Sequence, residues 1–464
     1  MKILHYLIGL PPVRKGGMVS YAVDLMEKQS ETEEVSLLIP GSITHNPEKR
    51  NRISVKNAGY LGKIDLYHVI NPLPVPMANG IKDIEWFTLN VYEEAYRVFL
   101  ERLRPDIIHI HSLMGLHLEF LNAAQELDIP CVYSSHDYFG ICPKTDLIDG
   151  GNICTNPGEH CARCCRYAFS EKRMLLEQSG IYRFYRNRTW LTKTLQSELL
   201  KERLKSVRSY NPEQSSKQDT ADAVREEEKS DVYVKLLEYY HKCFMMMNGF
   251  HFNSGLARDV FVRYLGPLQG KIIPPANSYV SDNRIVRHVD ADCVRIGYLG
   301  GDSPYKGLHL LQESLDELWN EGIRNFRLIV YGDSERKHYE FCEYRDSYGH
   351  EKLEHVFSDM DVLAVPSTWQ ETFGMVVTEA LSYGVPVIVT ENVGARDLLL
   401  SSERRIGIVT KAAVQEMKNA VRGLCLDAHI LDEMNENILQ LEHDFDHAAH
   451  VNAILRFYEE IIKK

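Results

Sequence analysis

Residues 362–391 read VLAVPSTWQETFGMVVTEALSYGVPVIVTE. Two apolar runs, VLAVPS and PVIVTE, have the length and the lack of alternation of strands buried on both faces. The pattern between them is helical, and the helix is expected to begin near Gly374. Two glutamates, Glu371 and Glu379, stand eight apart in this apolar segment. A buried carboxylate without a partner is costly, so their presence asks for a ligand or a counter-ion. Glu371 falls in the loop after a strand, which in a doubly wound sheet faces the ligand crevice, and Glu379 falls within the helix. The amides of Phe373, Gly374 and Met375 lie at the helix N-terminus, which suits an anionic group, and Gly374 lets a backbone approach closely. One loop thus offers amides to a phosphate and carboxylates to hydroxyls, and a sugar nucleotide carries both. The plainer alternative leaves Glu371 solvated and pairs Glu379 with a lysine or arginine.

The same alternation extends outward in both directions. KILHYLIG, VSLLIP, LYHVI, DIIHIHS, CVYSSHD and FHFNS read as strands of one series, with helical patterns between them. After Gly17, Met18, Ala22, Leu25 and Met26 make one apolar helical stripe. A second series, VRIGYLG, FRLIVYGD, DVLAVPS, PVIVTE and IGIVTK, begins near residue 293. Two successive series in 464 residues predict two Rossmann-like, doubly wound α/β domains with a cleft between them. The join falls in IIPPANSYVSDNRIVRHVDADC, residues 272–293. The expected division is an N-terminal domain over 1–280 and a C-terminal domain over 281–445, with a last helix over 446–464. The face of that helix is Ala448, Val451, Ile454, Leu455, Tyr458 and Ile461. Within the first domain, 142–165 is a Cys-rich loop and 166–247 a helical insert without strands. Its part 206–230 is polar and low in apolar content, as a flexible excursion would be.

Composition narrows the class. The chain is 44% hydrophobic and 25% charged, as an ordinary soluble globular protein is. A net charge of -12 argues against non-specific nucleic-acid binding. No apolar run has the length that spans a bilayer, and the opening MKILHYLIGLPPVRKGG reads as a strand entering a Gly-rich loop, not as a signal peptide. Ten cysteines without an export signal point to a reducing, cytoplasmic setting, where clustered thiols suggest metal more than disulfides. Four of them, Cys142, Cys154, Cys161 and Cys164, have the spacing C-x11-C-x6-C-x2-C, with Cys165 adjacent. Four thiolates suit a closed structural zinc site; a disulfide or free thiols are the alternatives. From Arg166 to Arg208, eleven Lys or Arg face four Glu, with Tyr182, Phe184, Tyr185 and Trp190 interleaved. That run could dock on anionic lipid at the inner face of a membrane, or simply be a solvated helical face.

Three further stretches flank the expected crevice. In GYLGGDSPYKGLHLL, 297–311, Lys306 opens a helix after a strand. In LPPVRKGGMVSY, 10–21, Gly16 and Gly17 follow the first strand, with Arg14 and Lys15 beside them. In SSHDYFGICPKTDL, 134–147, His136 ends a strand and Asp137 could orient it.

The segment around Glu371 and Glu379, with DVLAVPS before it and SYGVPVIVTENVGARDLL after it, resembles the signature of the retaining GT-B glycosyltransferases of family 4. The resemblance implies that Glu371 contacts donor-sugar hydroxyls, that Glu379 binds the nucleotide ribose, and that the amides of Phe373, Gly374 and Met375 hold the diphosphate or sugar. It implies that Lys306 neutralises the leaving diphosphate, that Gly16 and Gly17 approach phosphate or sugar, and that His136 sits near the donor sugar. Glu371, His136 and Lys306 are then the catalytic set. A similar Cys-rich insert occurs in some members, and the last helix crosses back to the N-terminal domain in the family. The implied reaction moves a hexose-type sugar, with retention and without a catalytic metal, from a nucleotide-diphosphate sugar, UDP favoured over GDP, to a saccharide or lipid-linked acceptor. A surface polysaccharide or lipid-linked oligosaccharide is the expected product. The chain departs from the pattern at Gly301-Asp302, where the family often has an arginine, and at Asp397, where it often has Glu. Those departures keep two alternatives open: an epimerase or hydrolase of the same fold, and a catalytically degenerate scaffold.

Overall fold

The computed structural model describes residues 1–44, 46–76, 80–180, 219–301, 303–441 and 446–463. Most of the basic run 166–208, from 181 onward, lies outside the described residues, as does Asp302. Contacts divide the chain into two units. One comprises Met1–Lys15, Gln29–Tyr133 and Asp137–Asn248; the other comprises Gly16–Lys28, Ser134–His136 and Gly249–Lys464. The second unit therefore starts at 249 instead of 281. It also takes in two short excursions, 16–28 and 134–136, that carry Gly16, Gly17 and His136.

The first unit holds β1 (Lys2–Tyr6), β2 (Glu34–Pro40), β3 (Ser54–Leu61), β4 (Ile64–Ile70), β5 (Ile107–Ile110) and β6 (Cys131–Ser134), in the order β6-β5-β1-β2-β4-β3. All pairs are parallel except β3 with β4, and the register sets Ile3 beside Ile107 and His5 beside His109. β5 and β6 are buried throughout, and β1 is buried except at Lys2, as strands covered on both faces must be. β3 went unread because it is a bulged, largely exposed edge strand with no apolar run. Inside the Cys-rich loop, β7 (Ile148–Asp149) and β8 (Asn152–Ile153) form a two-residue hairpin. Its turn residues Gly150 and Gly151 both have positive φ, 57° and 89°, as a type I′ turn demands. The described parts of the insert are the helices Glu171–Gln178 and Asp219–Met245.

The second unit holds a parallel pair, β9 (Gly249–Phe252) and β10 (Gly270–Ile272), and a six-stranded parallel sheet. The six are β11 (Val294–Leu299), β12 (Phe326–Tyr331), β13 (Cys342–Arg345), β14 (Val362–Val365), β15 (Val387–Thr390) and β16 (Gly407–Thr410). Their order is β13-β12-β11-β14-β15-β16. Successive connections run one way from β11 and the other way from β14, so the topological switch lies between those two strands. One face is packed by Leu308, Leu311 and Leu315 of the helix Leu308–Asn320 and by Met417 and Val421 of Val414–Leu426. The other is packed by Val377 and Leu381 of Met375–Ser382 and by Val356 and Phe357. The last helix, His447–Ile462, buries Val451, Ile454, Tyr458 and Ile461 as expected. It buries His450 and Phe457 in place of Ala448 and Leu455, because it packs on Gly249 and Tyr21.

Candidate functional site

The site is built where the sheet switches direction. Beyond β11 the chain makes a single 3-10 turn, Pro304–Lys306, and enters the next helix through Gly307 at φ 77°. A Cβ on Gly307 would lie 1.9 Å from the Pro366 carbonyl oxygen, so only glycine permits this approach. The approach is sealed by the Thr368 amide, which donates to Tyr305 O at 2.9 Å. Lys306 is thereby held against the loop that follows β14.

That loop carries Glu371. Its amide donates to Asn392 O at 2.8 Å, and its carbonyl accepts from Gly394 N at 3.0 Å, so the backbone is clamped from both sides. The carboxylate accepts from Lys306 Nζ on Oε1 and from Ser367 Oγ on Oε2 at 2.7 Å. Gly374 follows at φ 101°, pressed towards Val393, and the helix begins at Met375. The first-turn amides of such a helix have no intrahelical acceptor and are available to an anion.

A cavity of about 340 Å³ opens at this point. Its wall includes Gly17, His136, Lys306, Glu371, Phe373, Gly374 and Met375, so the structure brings seven of the expected site residues together. Gly16 and Glu379 are not on the wall. Gly16 has φ 132°, a conformation that favours glycine, and precedes the helix Gly17–Gln29. Glu379 is 5% exposed, and its carboxylate accepts the Tyr279 hydroxyl at 2.9 Å. Burial pushes the Glu379 carboxyl above its ordinary range, and the bond from Tyr279 works against that.

His136 meets the loop through its backbone, its carbonyl accepting from Thr372 Oγ1 at 3.1 Å. Its ring lies 4.9 Å from that of Tyr21, and Asn253 Nδ2 lies 3.4 Å from its Nδ1. Asp137 does not do the orienting: its Oδ1 accepts the Phe139 amide at 2.9 Å. Burial, then the neighbouring His251 and His450, bring the His136 pKa down to about 3. The imidazole is therefore neutral at physiological pH and can exchange hydrogen bonds with hydroxyls without carrying charge. Lys306 is the one Lys or Arg on the wall among the described residues, and nothing there replaces the arginine missing at Gly301.

Sequence reasoning missed Tyr21, Asn253, Ser367 and Trp369, which share the wall. Asn253 follows β9, and the strand-end rule that picked out His136 would have found it. Asp397 has a structural part: its Oδ2 accepts the Gly255 amide at 2.6 Å, at the start of the helix Gly255–Leu265. A carboxylate is favoured there by the helix dipole, so Asp397 lends no support to a degenerate site.

Two other clusters could hold a metal. Cys142, Cys154, Cys161, Cys164 and Cys165 line one small cavity, all as free thiols. Burial pushes Cys142 and Cys164 up to about 12. The cluster fits a structural zinc in donor type and number, but no three of the sulfurs lie within 4.8 Å of one another. A formed tetrahedral set needs roughly 3.8 Å between sulfurs, from a Zn–S bond of about 2.3 Å, so the loop would have to tighten. The sequence reading overlooked the other cluster: His5, His109 and His111, fully buried, with ring nitrogens within 4.8 Å of one another. His5 is satisfied by His111 at 3.0 Å and by Gln29 Oε1 at 2.9 Å. A dication there would bring two charges into a fully buried site whose ligand set has no carboxylate, so a hydrogen-bonded core is the better reading.

Two family models match the chain: Glycosyltransferase Family 4 over residues 15–188 and Glycosyl transferases group 1 over residues 286–441. Among solved structures, sucrose-phosphate synthase from Thermosynechococcus elongatus is 13% identical, with a TM-score of 0.56 and 100% of each chain covered. A glycosyltransferase from Rickettsia africae is 12% identical, with a TM-score of 0.56 and 100% of this chain and 99% of that one covered. HepE from Anabaena, solved with UDP and glucose, is 14% identical, with a TM-score of 0.54, 99% of this chain and 100% of that one. No curated protein matches. The chain belongs to the glycosyltransferases of group 1 and family 4, and its fold is GT-B, with two Rossmann-like units. No helix among the described residues is long and apolar enough to cross a membrane.

Proposed function

We propose that this glycosyltransferase moves a hexose-type sugar, with retention, from a nucleotide-diphosphate sugar to a saccharide or lipid-linked acceptor in surface-polysaccharide or lipid-linked oligosaccharide assembly. The observation that carries the reading is the pairing of Lys306 with Glu371 at the switch point, beside the first-turn amides of Met375–Ser382. A donor would divide that pair. Its diphosphate takes Lys306 and the amides; its sugar hydroxyls donate to Glu371. The acceptor hydroxyl then forms its bond to the anomeric carbon on the face from which the diphosphate leaves, and its proton passes to the leaving phosphate oxygen. Lys306 and the amides meet the charge that develops there, so the step calls on no metal. HepE was solved with UDP and with UDP-glucose, which makes uridine nucleotides the first probe.

The test is calorimetry with UDP and GDP. The wild-type protein is expected to bind one of them, and Glu379→Ala to weaken that binding by about ten- to a hundredfold, the worth of a hydrogen bond to a charged group. Unchanged affinity would remove the ribose role of Glu379. No binding of either nucleotide by the folded protein would favour the scaffold alternative.

We further propose that Cys142, Cys154, Cys161 and Cys164 hold a structural zinc outside the reaction. Elemental analysis of protein purified under reducing, zinc-supplemented conditions is expected to give one zinc per chain, lost in Cys161→Ser. A metal-free wild-type protein would leave the thiols as a reduced core.

A further inference from the structure

Glu379 raises a problem that the ribose role does not solve. Its carboxylate is 5% exposed and absent from the cavity wall, which runs along Met375 and Val376 and ends a turn short of it. What covers it is Tyr279. The Tyr279 hydroxyl donates to Glu379 Oε1 at 2.9 Å and accepts from Asn277 Nδ2 at 2.7 Å. Because that amide nitrogen only donates, the phenolic proton is directed onto the carboxylate. The Tyr279 ring is stacked on His350, with centroids 3.7 Å apart and planes at 25°. The segment is tied down on either side of the ring: Ser278 N donates to Asp24 Oδ2 at 3.0 Å before it, and Asn283 N donates to Ser382 O at 2.8 Å after it.

We infer that Tyr279 is a gate on the nucleotide half of the donor site: its hydroxyl stands in for a ribose hydroxyl on Glu379 until the donor arrives, then yields the carboxylate. The inference rests on the reading that Glu379 takes the ribose. A buried carboxylate needs a donor in every state of the protein. Tyr279 supplies one when the site is empty, and the ribose diol supplies two when it is filled. The exchange keeps Glu379 satisfied throughout, at the cost of one charged hydrogen bond broken on binding. It also explains why the cavity reaches the diphosphate and sugar residues but stops before the ribose residue. Tyr279 lies in the segment joining β10 to β11, so opening the gate moves neither Lys306 nor Glu371.

Tyr279→Phe separates the gate from a merely orienting role, because it removes the hydroxyl and keeps the ring on His350. A gate that competes with ribose predicts that UDP binds Tyr279→Phe three- to tenfold more tightly than wild type in calorimetry. It predicts no such gain for 2′,3′-dideoxyuridine diphosphate, which has no ribose hydroxyl to place on Glu379. If Tyr279 orients Glu379 for the ribose, UDP binds the variant more weakly. If its part is only structural, the melting temperature falls and the affinity holds. Either of those results overturns the gate, as does an equal gain with the dideoxy nucleotide. Glu379→Ala in the same series tells the two failures apart: a loss there without a gain in Tyr279→Phe removes the gate alone, and no loss there removes the ribose reading itself.

Discussion

Lys306→Ala is expected to lower the turnover number by about two to three orders of magnitude, measured as release of nucleoside diphosphate from the matched donor. The magnitude is that of removing one group placed to meet charge that develops in the transition state. Two effects act together. The leaving diphosphate loses the one cation on the cavity wall among the described residues. Glu371 also loses its counter-ion, keeps Ser367 on its other oxygen, and turns an unneutralised carboxylate towards the phosphate. Stability should hardly change, because the Lys306 side chain is 37% exposed and an ion pair that open contributes little. Lys306→Arg keeps the charge and should recover part of the loss. It should not recover all, since Gly307 packed on Pro366 fixes where the longer side chain must start. Turnover of Lys306→Ala within about threefold of wild type would take the leaving-group role from Lys306, and would move the diphosphate away from the switch point.

What could be read from sequence follows burial. All eleven strands read from apolar runs are present, because a parallel strand covered on both faces has to be written in apolar residues. The strands that escaped are the edge strand β3, the two-residue β7 and β8, the exposed three-residue β10, and the half-exposed β13, CEYR, whose solvent-facing positions carry polar residues. The cavity wall was legible for a related reason. Lys306, Glu371 and His136 follow strands, and strand ends in this topology point at the ligand. Tyr279 was invisible because it lies in an irregular segment where no periodicity marks a side chain that turns inward. His450 was invisible because a histidine in an amphipathic helix counts as polar, and its partner in the core, the Tyr21 hydroxyl, lies 429 residues earlier in the chain.

That buried histidine belongs to a set with a large consequence for pH. His5, His117 and His450 are held down to about 3, and His251 to about 4, each chiefly by burial. None is more than 7% exposed. In the unfolded chain the same groups take up protons near pH 6.5. The unfolded state therefore binds more protons below that pH. The stability these histidines contribute is complete above 6.5 and is lost as the pH falls, down to their folded pKa values. At pH 5 each has lost at most about 2 kcal/mol and the four together about 8, against a total stability of about 5–15 kcal/mol for a folded protein. Asp137 and Glu379 act in the opposite sense. Their carboxyls are raised, Asp137 to about 6, so they regain stability as the pH falls. Asp137 returns about 1 kcal/mol over the same interval, too little to cancel the loss. His5 and His117 lie in the first unit, and His251 and His450 in the second. If the units unfold in separate steps, both steps should shift. The urea midpoint at pH 5 is expected to fall below half its value at pH 7.5. His450→Gln, which can still accept from Tyr21, should flatten the slope. A midpoint that holds steady from pH 7.5 to 5 would mean that these imidazoles reach water in the folded protein. His136 is also held near 3, so activity lost in this range should follow the unfolding curve and not a titration in the donor cavity.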